Sequence, residues 1–321
     1  MRVLVTGAGG FIGGHLAAAL LARGDEVTAA DVAPLKAWHQ VHEGARNLPG
    51  LDLRHRDACE AACRGADAVL HFAADMGGMG FIEPNKAACA LNTLIDLHML
   101  LAARDAGVRR FTYASTACVY RHNRQDTPEP VPLREAVDVY PADPEDGYGW
   151  AKLYAERVCR HFAEDYGLPV RIARLHSVYG PHGTWDGGRE KVPAALCRKV
   201  AAAVRDGGTF IEIWGDGEQT RSFLYIADAV DGILALHDGS YGEPVNIGSD
   251  RLISVTGLAR IVEAAAGVRL EHVHVPGPLG VRGRSADLRR ARRVLGWSPS
   301  VRLEEGIART YAWVSAQAAA S

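Results

Sequence analysis

The chain has 321 residues, 48% apolar and 23% charged, with a formal net charge of -2. That length suits two lobes around a sizeable core, and that apolar share excludes a disordered chain. The balanced charge excludes a global drive toward nucleic acid or an anionic membrane, and no apolar run long enough to span a membrane is expected.

The first stretch sets the organisation. Residues 3–5 form an apolar run that predicts a buried parallel strand. A glycine turn follows, then an apolar-periodic helix over 11–22. Gly7, Gly10 and Gly13 allow a tight turn, close approach of backbone to a pyrophosphate, and close helix–strand packing. The helix start, with Phe11 and Ile12, then offers unpaired N–H groups to phosphate. A second strand, 26–30, ends at Asp31, a carboxylate placed to accept both adenosine ribose hydroxyls and to repel a 2′-phosphate. The cofactor expected is therefore NAD. With a strand starting at residue 3, no secretory leader is expected, and the expected location is cytoplasmic. Cys59 and Cys63 are four residues apart, but no second pair or histidine cluster completes a metal site. Reduced thiols are expected for all six cysteines, and no metal.

Strand-like runs at 68–72, 111–114 and 170–174 alternate with helix-like runs at 86–106 and 148–166. Alternating βα units predict an α/β fold, a Rossmann-type doubly wound parallel sheet with helices on both faces. Residues 123–144, with many prolines and acids, read as a long loop. After Leu175 the pattern loosens, apart from a helix at 193–206, and predicts a smaller C-terminal substrate-binding lobe. The expected division is 1–175 with a return segment at about 218–248 for the dinucleotide, and 176–217 with 249–321 for the substrate. Substrates of such sheets lie beyond the carboxyl ends of the strands, near the lobe junction. The arginine run at 289–293 reads as a solvated helix face.

Tyr148 and Lys152 stand four apart on one helical face. A neighbouring ammonium favours a phenolate, and such a tyrosine can take a hydroxyl proton as hydride leaves for a nicotinamide. About thirty residues upstream lies the strand end Ser115-Thr116. The glycine turn, the Ser115-Thr116 strand end and the Tyr148/Lys152 pair together resemble the extended short-chain dehydrogenase/reductases. Arg221-Ser222-Phe223, Ile226-Ala227-Asp228, Asn246-Ile247-Gly248 and Leu295-Gly296-Trp297-Ser298-Pro299 extend the resemblance along nearly the whole chain. It implies that Thr116 supports the reacting sugar oxygen, that Tyr148 is the acid/base and that Lys152 is its electrostatic partner.

Dehydratases of that family carry an Asp-Glu pair right after the Ser/Thr. This chain has Ala117-Cys118 and lacks that acid and base. The strings 74–82, 187–191 and 214–223, with Cys118, look closely like the GDP-mannose 3,5-epimerase group of the family. That resemblance implies epimerisation of a GDP-hexose, GDP-mannose foremost, at C3 and/or C5 through a transient 4-keto sugar. Cys118 would remove a sugar carbon proton, and Lys191 would protonate the opposite face. Lys152, Lys191 and the nicotinamide would supply the positive charge that lowers the thiol pKa. Gly77 and the Thr116-Ala117-Cys118 backbone would line the sugar, with Glu190, Lys191 and Val192 opposite. Lys199, Gln219, Thr220, Arg221 and Arg284 would hold the guanosine diphosphate, the arginines because a guanidinium fork suits phosphate. Asp52 and Leu53 would meet the adenine. Two departures fall near the sugar: Ser177 stands where the family has Asn, and Arg121-His122 where it has Pro. A C5-selective epimerase giving GDP-L-gulose and a non-catalytic dinucleotide sensor are the alternatives. The family also implies a homodimer, through helices 86–106 and 148–166.

Overall fold

A computed structural model describes residues 1–320. β1 (Arg2–Thr6) runs into the glycine turn and α1 (Phe11–Ala22), followed by β2 (Glu26–Ala30), β3 (Arg46–Leu48), α2 (Arg56–Cys63) and β4 (Ala68–His71). The short α3 (Met79–Ile82) and α4 (Lys86–Ala90) precede α5 (Asn92–Asp105) and β5 (Phe111–Thr116). Then come α6 (Asp146–Tyr166), β6 (Val170–Leu175), β7 (Val178–Tyr179), α7 (Val192–Asp206), β8 (Phe210–Trp214), β9 (Thr220–Ser222) and β10 (Leu224–Tyr225). The chain closes with α8 (Ile226–Asp238), β11 (Val245–Ile247), β12 (Leu252–Ser254), α9 (Val255–Ala266), β13 (Glu271–Val275), β14 (Gly283–Arg284), α10 (Arg289–Leu295) and α11 (Leu303–Ala320).

Seven strands form one sheet in the order β11-β6-β5-β4-β1-β2-β3, every pairing parallel. Helices cover both faces, so β4 and β5 are buried at every residue and read as continuous runs rather than alternating ones. The order reverses between β1 and β4. That switch point opens a crevice beyond Thr6 and His71, where ligands of such sheets sit.

The smaller lobe adds a three-stranded sheet, β12-β9-β14, and the pair β13-β8. It shares its core with the large sheet: Leu196, Val200, Leu258, Val262 and Val314 cluster with Val3, Val5 and Leu16. Thr220–Ser222 lies in the lobe's sheet, and the chain rejoins the large sheet through α8 and β11.

Two expectations change. The single helix at 86–106 is broken at Leu91 into α4 and α5. Contrary to the sequence reading, Lys86–Asp105 has the length and hydropathy of a membrane span. In this fold Met99, Leu100 and Ala103 place it against the sheet as a core helix. The 123–144 loop is anchored, with Leu133 bridged to Ala286 and the Gln125 carbonyl accepting from the Arg282 and Gly283 amides at 2.9 and 3.0 Å. All six cysteines are unpaired, and no group of metal-ligating side chains occurs among the described residues.

Candidate active site

The crevice at the switch point is a cavity of about 620 Å³. Gly7 has φ +69° at its mouth, and a Cβ on Gly13 would overlap the Gly7 carbonyl. Phe11, Ile12 and Gly13 line it and precede the first intrahelical bond, from the Gly14 amide to Gly10. Asp31 accepts from the Gly9 amide at 3.0 Å and the Ala33 amide at 2.9 Å, one on each carboxylate oxygen. Each oxygen keeps a lone pair for a ribose hydroxyl. A cradle with no side chains, a helix start and a half-used carboxylate fit a dinucleotide with an unphosphorylated ribose. Asp52 and Leu53 line the same crevice, but the Asp52 carboxylate is held 2.6 Å from Arg54, which brings its pKa down to about 2.

Asp31→Ala is expected to weaken NAD binding by at least about tenfold, since each charge-assisted hydrogen bond contributes about 1.5–3 kcal/mol. Calorimetric titration measures it; an unchanged Kd, or a wild-type preference for NADP, would contradict the assignment.

At the inner end, Thr116 closes β5, and Tyr148 and Lys152 come from the first turns of α6. All three are buried and line the crevice. Thr116 Oγ1 accepts from the Cys118 amide at 3.2 Å, which leaves its own proton to donate. Behind Lys152 lies a buried polar chain absent from the sequence reading. Lys152 Nζ is 3.7 Å from Asp96 Oδ1 and 4.6 Å over the Tyr113 ring. Asp96 also accepts from Tyr113 Oη at 2.8 Å and meets His71 Nε2 at 3.1 Å. His71 Nδ1 is 2.7 Å from Thr6 Oγ1, which already accepts from the Phe72 and Ala73 amides. Thr6 therefore donates to Nδ1, and Nε2 carries the proton toward Asp96. Burial lowers the His71 pKa, which keeps the ring neutral. Burial raises the Tyr148 phenol well above its ordinary value. The protein alone does not give the phenolate that the Tyr–Lys spacing predicts.

The second cavity, about 320 Å³, continues from the first past Thr116, Tyr148 and Lys191. Gly77, Ala117 and Cys118 line one side, and Glu190, Lys191 and Val192 the other. The Gly78 amide donates to the Arg189 carbonyl at 3.0 Å, and Arg189 clasps Asp75 at 2.6 Å, so the two sides are joined. The Glu190 carboxylate is held by the Gly188 amide and Arg198 at 2.7 and 2.8 Å. Burial, then Glu145, push the Cys118 thiol up to about 11. The sequence reading expected the opposite. Desolvation and a carboxylate it did not foresee outweigh Arg284, the cation that favours the thiolate. Burial lowers the Lys191 ammonium.

At the far end Lys199 Nζ donates to the Glu212 carbonyl at 2.7 Å. Gln219 donates to the Trp214 carbonyl at 3.2 Å and leaves its buried Oε1 unpaired. Arg221 is steadied by the Val281 and Leu279 carbonyls at 2.6 and 3.2 Å, and burial and Arg284 bring its pKa down to about 10. Arg284 is not the open phosphate arm expected. Its Nε donates to Gln125 at 2.5 Å, one terminal nitrogen to Glu145 at 2.8 Å, and the other lies 3.7 Å from Cys118 Sγ. Two guanidiniums against one carboxylate still leave positive charge in a buried space, which suits a diphosphate. Thr220 is not brought to the cavity; its hydroxyl donates to the Pro128 carbonyl on the 123–144 loop. Ser177 lines both cavities at φ +41°, while Arg121 and His122 line neither.

Residues 3–248 match the NAD dependent epimerase/dehydratase family. The chain belongs to that family. It is 44% identical over 319 residues to GDP-mannose 3,5-epimerase 1 of Oryza sativa subsp. japonica, across 99% of this chain and 82% of the relative. Its backbone is similar to UDP-glucose 4-epimerase of Thermotoga maritima solved with UDP-glucose, with TM-score 0.87 and 26% identity over 99% of both chains. It is also similar to the Thermus thermophilus UDP-glucose 4-epimerase complex with NAD, with TM-score 0.83 and 28% identity over 98% of this chain and 99% of that one. As a member of the NAD dependent epimerase/dehydratase family the chain is an enzyme, and NAD is its cofactor.

Sequence reasoning missed Glu145, Asp96 and His71. Asp96 carried a signal: Asn92, Asp96 and Met99 repeat on one face of a helix whose other members there are apolar, so a carboxylate on that face requires a buried partner. Glu145 stands three residues ahead of Tyr148, in a stretch read only as the end of a loop.

Proposed function

We propose that this member of the NAD dependent epimerase/dehydratase family epimerises GDP-mannose at C3 and C5 through a 4-keto sugar. The observation that carries the proposal is that Thr116, Tyr148 and Lys191 stand at the junction of two continuous cavities, with Cys118 lining the second beside them. A site that only oxidised and reduced C4 would have no use for a second proton-transfer pair. The intact set also argues against a dinucleotide sensor.

Bound NAD supplies reversible hydride acceptance at the sugar C4. Thr116 donates to the O4 oxygen, and Tyr148, once the positive ring of the bound cofactor offsets the burial that keeps its phenol protonated, takes the O4 proton and later returns it. Lys152, one turn along α6 from the tyrosine and 3.7 Å from Asp96, is held in place as its electrostatic partner. A carbonyl at C4 makes the C3 and C5 protons acidic, because the carbanion is an enolate. Cys118 and Lys191 then exchange one proton across the ring for each inversion. The pair runs either way, thiolate with ammonium or thiol with amine, as a reversible inversion requires. Arg221 and the excess positive charge around it hold the diphosphate. Support for a homodimer comes from Leu94 on α5 and Trp150 and Tyr154 on α6, large apolar side chains that are exposed.

The test is turnover of GDP-mannose with catalytic NAD in deuterated water, read by NMR. Deuterium at both C3 and C5 is expected. Label at C5 alone would give GDP-L-gulose and point to Ser177, the shorter side chain at the sugar wall. No label and no new product would reject the proposal.

A further inference from the structure

Lys191 lies on a segment that does not hold its own shape. It follows Gly187 and Gly188, at φ +87° and +85° with open space where a Cβ would stand. Glycines in that setting leave the backbone free to turn. From Val192 onward α7 fixes the chain, and Lys191 is its N-cap. Ahead of Lys191 the tie to the opposite wall of the sugar cavity runs through Arg189. Its guanidinium lies 3.7 Å over the Phe81 ring and donates to Asp75 at 2.6 Å and to the Met76 carbonyl at 3.3 Å. Its carbonyl accepts from the Gly78 amide at 3.0 Å. The two backbones meet there because position 78 has no side chain; a Cβ would lie 2.5 Å from the Glu190 carbonyl oxygen.

The far side of this contact is anchored. Asn92, buried on α5, exchanges two hydrogen bonds with the Asp75 backbone at 2.7 and 2.9 Å. Phe81 packs against the cluster of Ile82, Cys89, Cys118 and Tyr148. A path of contacts therefore runs from Lys191 through Arg189 and Phe81 to Cys118, around the cavity rather than across it.

We propose that Arg189 is a positioning residue that sets the gap between Lys191 and Cys118 in which the sugar ring must fit. This rests on the epimerase reading and names what spaces its proton-transfer pair. Two groups that exchange protons with opposite faces of one ring need a separation fixed by the protein. A misplacement of about 1 Å in such a site costs about a hundredfold in rate. Tyr148 and Lys152 share α6, and Thr116 closes β5, so C4 oxidation does not depend on this tie. The side chains of Arg189 and Asp75 are 47% and 43% exposed. An ion pair so exposed adds little to stability, which leaves its role a geometric one. A lysine at 189 would keep the charge but has no flat face for the Phe81 ring.

The test is turnover of GDP-mannose with catalytic NAD in deuterated water by Arg189→Gln, Asp75→Asn and the double variant. Label is read by NMR, and hydride transfer by single-turnover absorbance of the reduced cofactor. Each single variant is expected to lose about ten- to a hundredfold in deuterium incorporation at C3 and C5, with KM and the reduced-cofactor signal near wild type. The double variant is expected to lose no more than Arg189→Gln alone, because the two residues act as one contact. Arg189→Lys is expected to fall between wild type and Gln. Losses that multiply in the double variant would overturn the proposal. Equal slowing of hydride transfer and inversion, the mark of a general structural role, would do the same, as would variants that take up label at the wild-type rate. Should Arg189→Gln fail to fold, Phe81→Leu takes its place in the comparison, since it leaves the guanidinium without its ring. Wild-type protein that takes up no label would reject the epimerase reading and this proposal together; label in the wild type with unaltered variants rejects this proposal alone.

Discussion

Tyr148→Phe is expected to cut turnover by about a hundred- to ten-thousand-fold, the usual contribution of a positioned acid/base. The ring is buried and packs with Cys118, Cys89 and Ile82, so phenylalanine fills the same space and the loss is one of proton transfer. No neighbour can replace the hydroxyl. Lys152 is held toward Asp96 and Tyr113, and Thr116 keeps an orientation set by the Cys118 amide. The fall should therefore come in kcat, with KM little changed, and single-turnover absorbance of the reduced cofactor should show hydride transfer itself slowed. Near-normal turnover would remove Tyr148 from the mechanism.

Cys118→Ala and Lys191→Ala are each expected to abolish inversion while C4 oxidation persists. Both residues border the sugar cavity, but neither belongs to the Thr116–Tyr148–Lys152 set. The reduced-cofactor signal should still form, whereas deuterium incorporation at C3 and C5 should fall by about a hundredfold or more. Cys118→Ala that exchanged both carbons at the wild-type rate would make Cys118 a packing residue. The same pair sets a pH dependence. Burial lowers the Lys191 ammonium, so its amine form is reached at lower pH than for an exposed lysine. The thiol, pushed up to about 11, survives to higher pH. Thiol and amine therefore coexist above the lowered Lys191 value and below about 11. Exchange should rise with pH as Lys191 deprotonates and fall only as the sulfur ionises.

What could be read in the sequence was what neighbouring residues decide among themselves. Gly7, Gly10 and Gly13 define their turn by spacing, and Asp31 is placed by the length of β2. Tyr148 and Lys152 share a helix face whatever surrounds them. The rest depends on segments far apart in the chain. Arg284 was read as a phosphate arm because its type suits phosphate, but its partners come from positions 125, 145 and 118. Thr220 sits one residue from Gln219 and Arg221, both at the cavity, and the alternation of β9 turns it the other way. The charge on Cys118 was misjudged for the same reason: the groups that act on it most, Glu145 and Arg284, come from other parts of the chain. The break at Leu91 had a faint local sign, since Asn92 and Thr93 right after it are weak helix formers.

Every cysteine in the chain shares one condition. Burial raises the pKa of Cys59, Cys63 and Cys197 to about 12 and of Cys118 to about 11, and it raises Cys89 and Cys159 as well. Peroxide attacks thiolates, and a thiol held protonated is a slow target. An enzyme that uses a sulfur for proton transfer would ordinarily risk sulfenic acid at that atom. Here burial pushes the Cys118 thiol up to about 11, so little of the vulnerable thiolate is present near neutral pH. Resistance to oxidative damage at rest is thus a by-product of the burial that shapes the sugar wall.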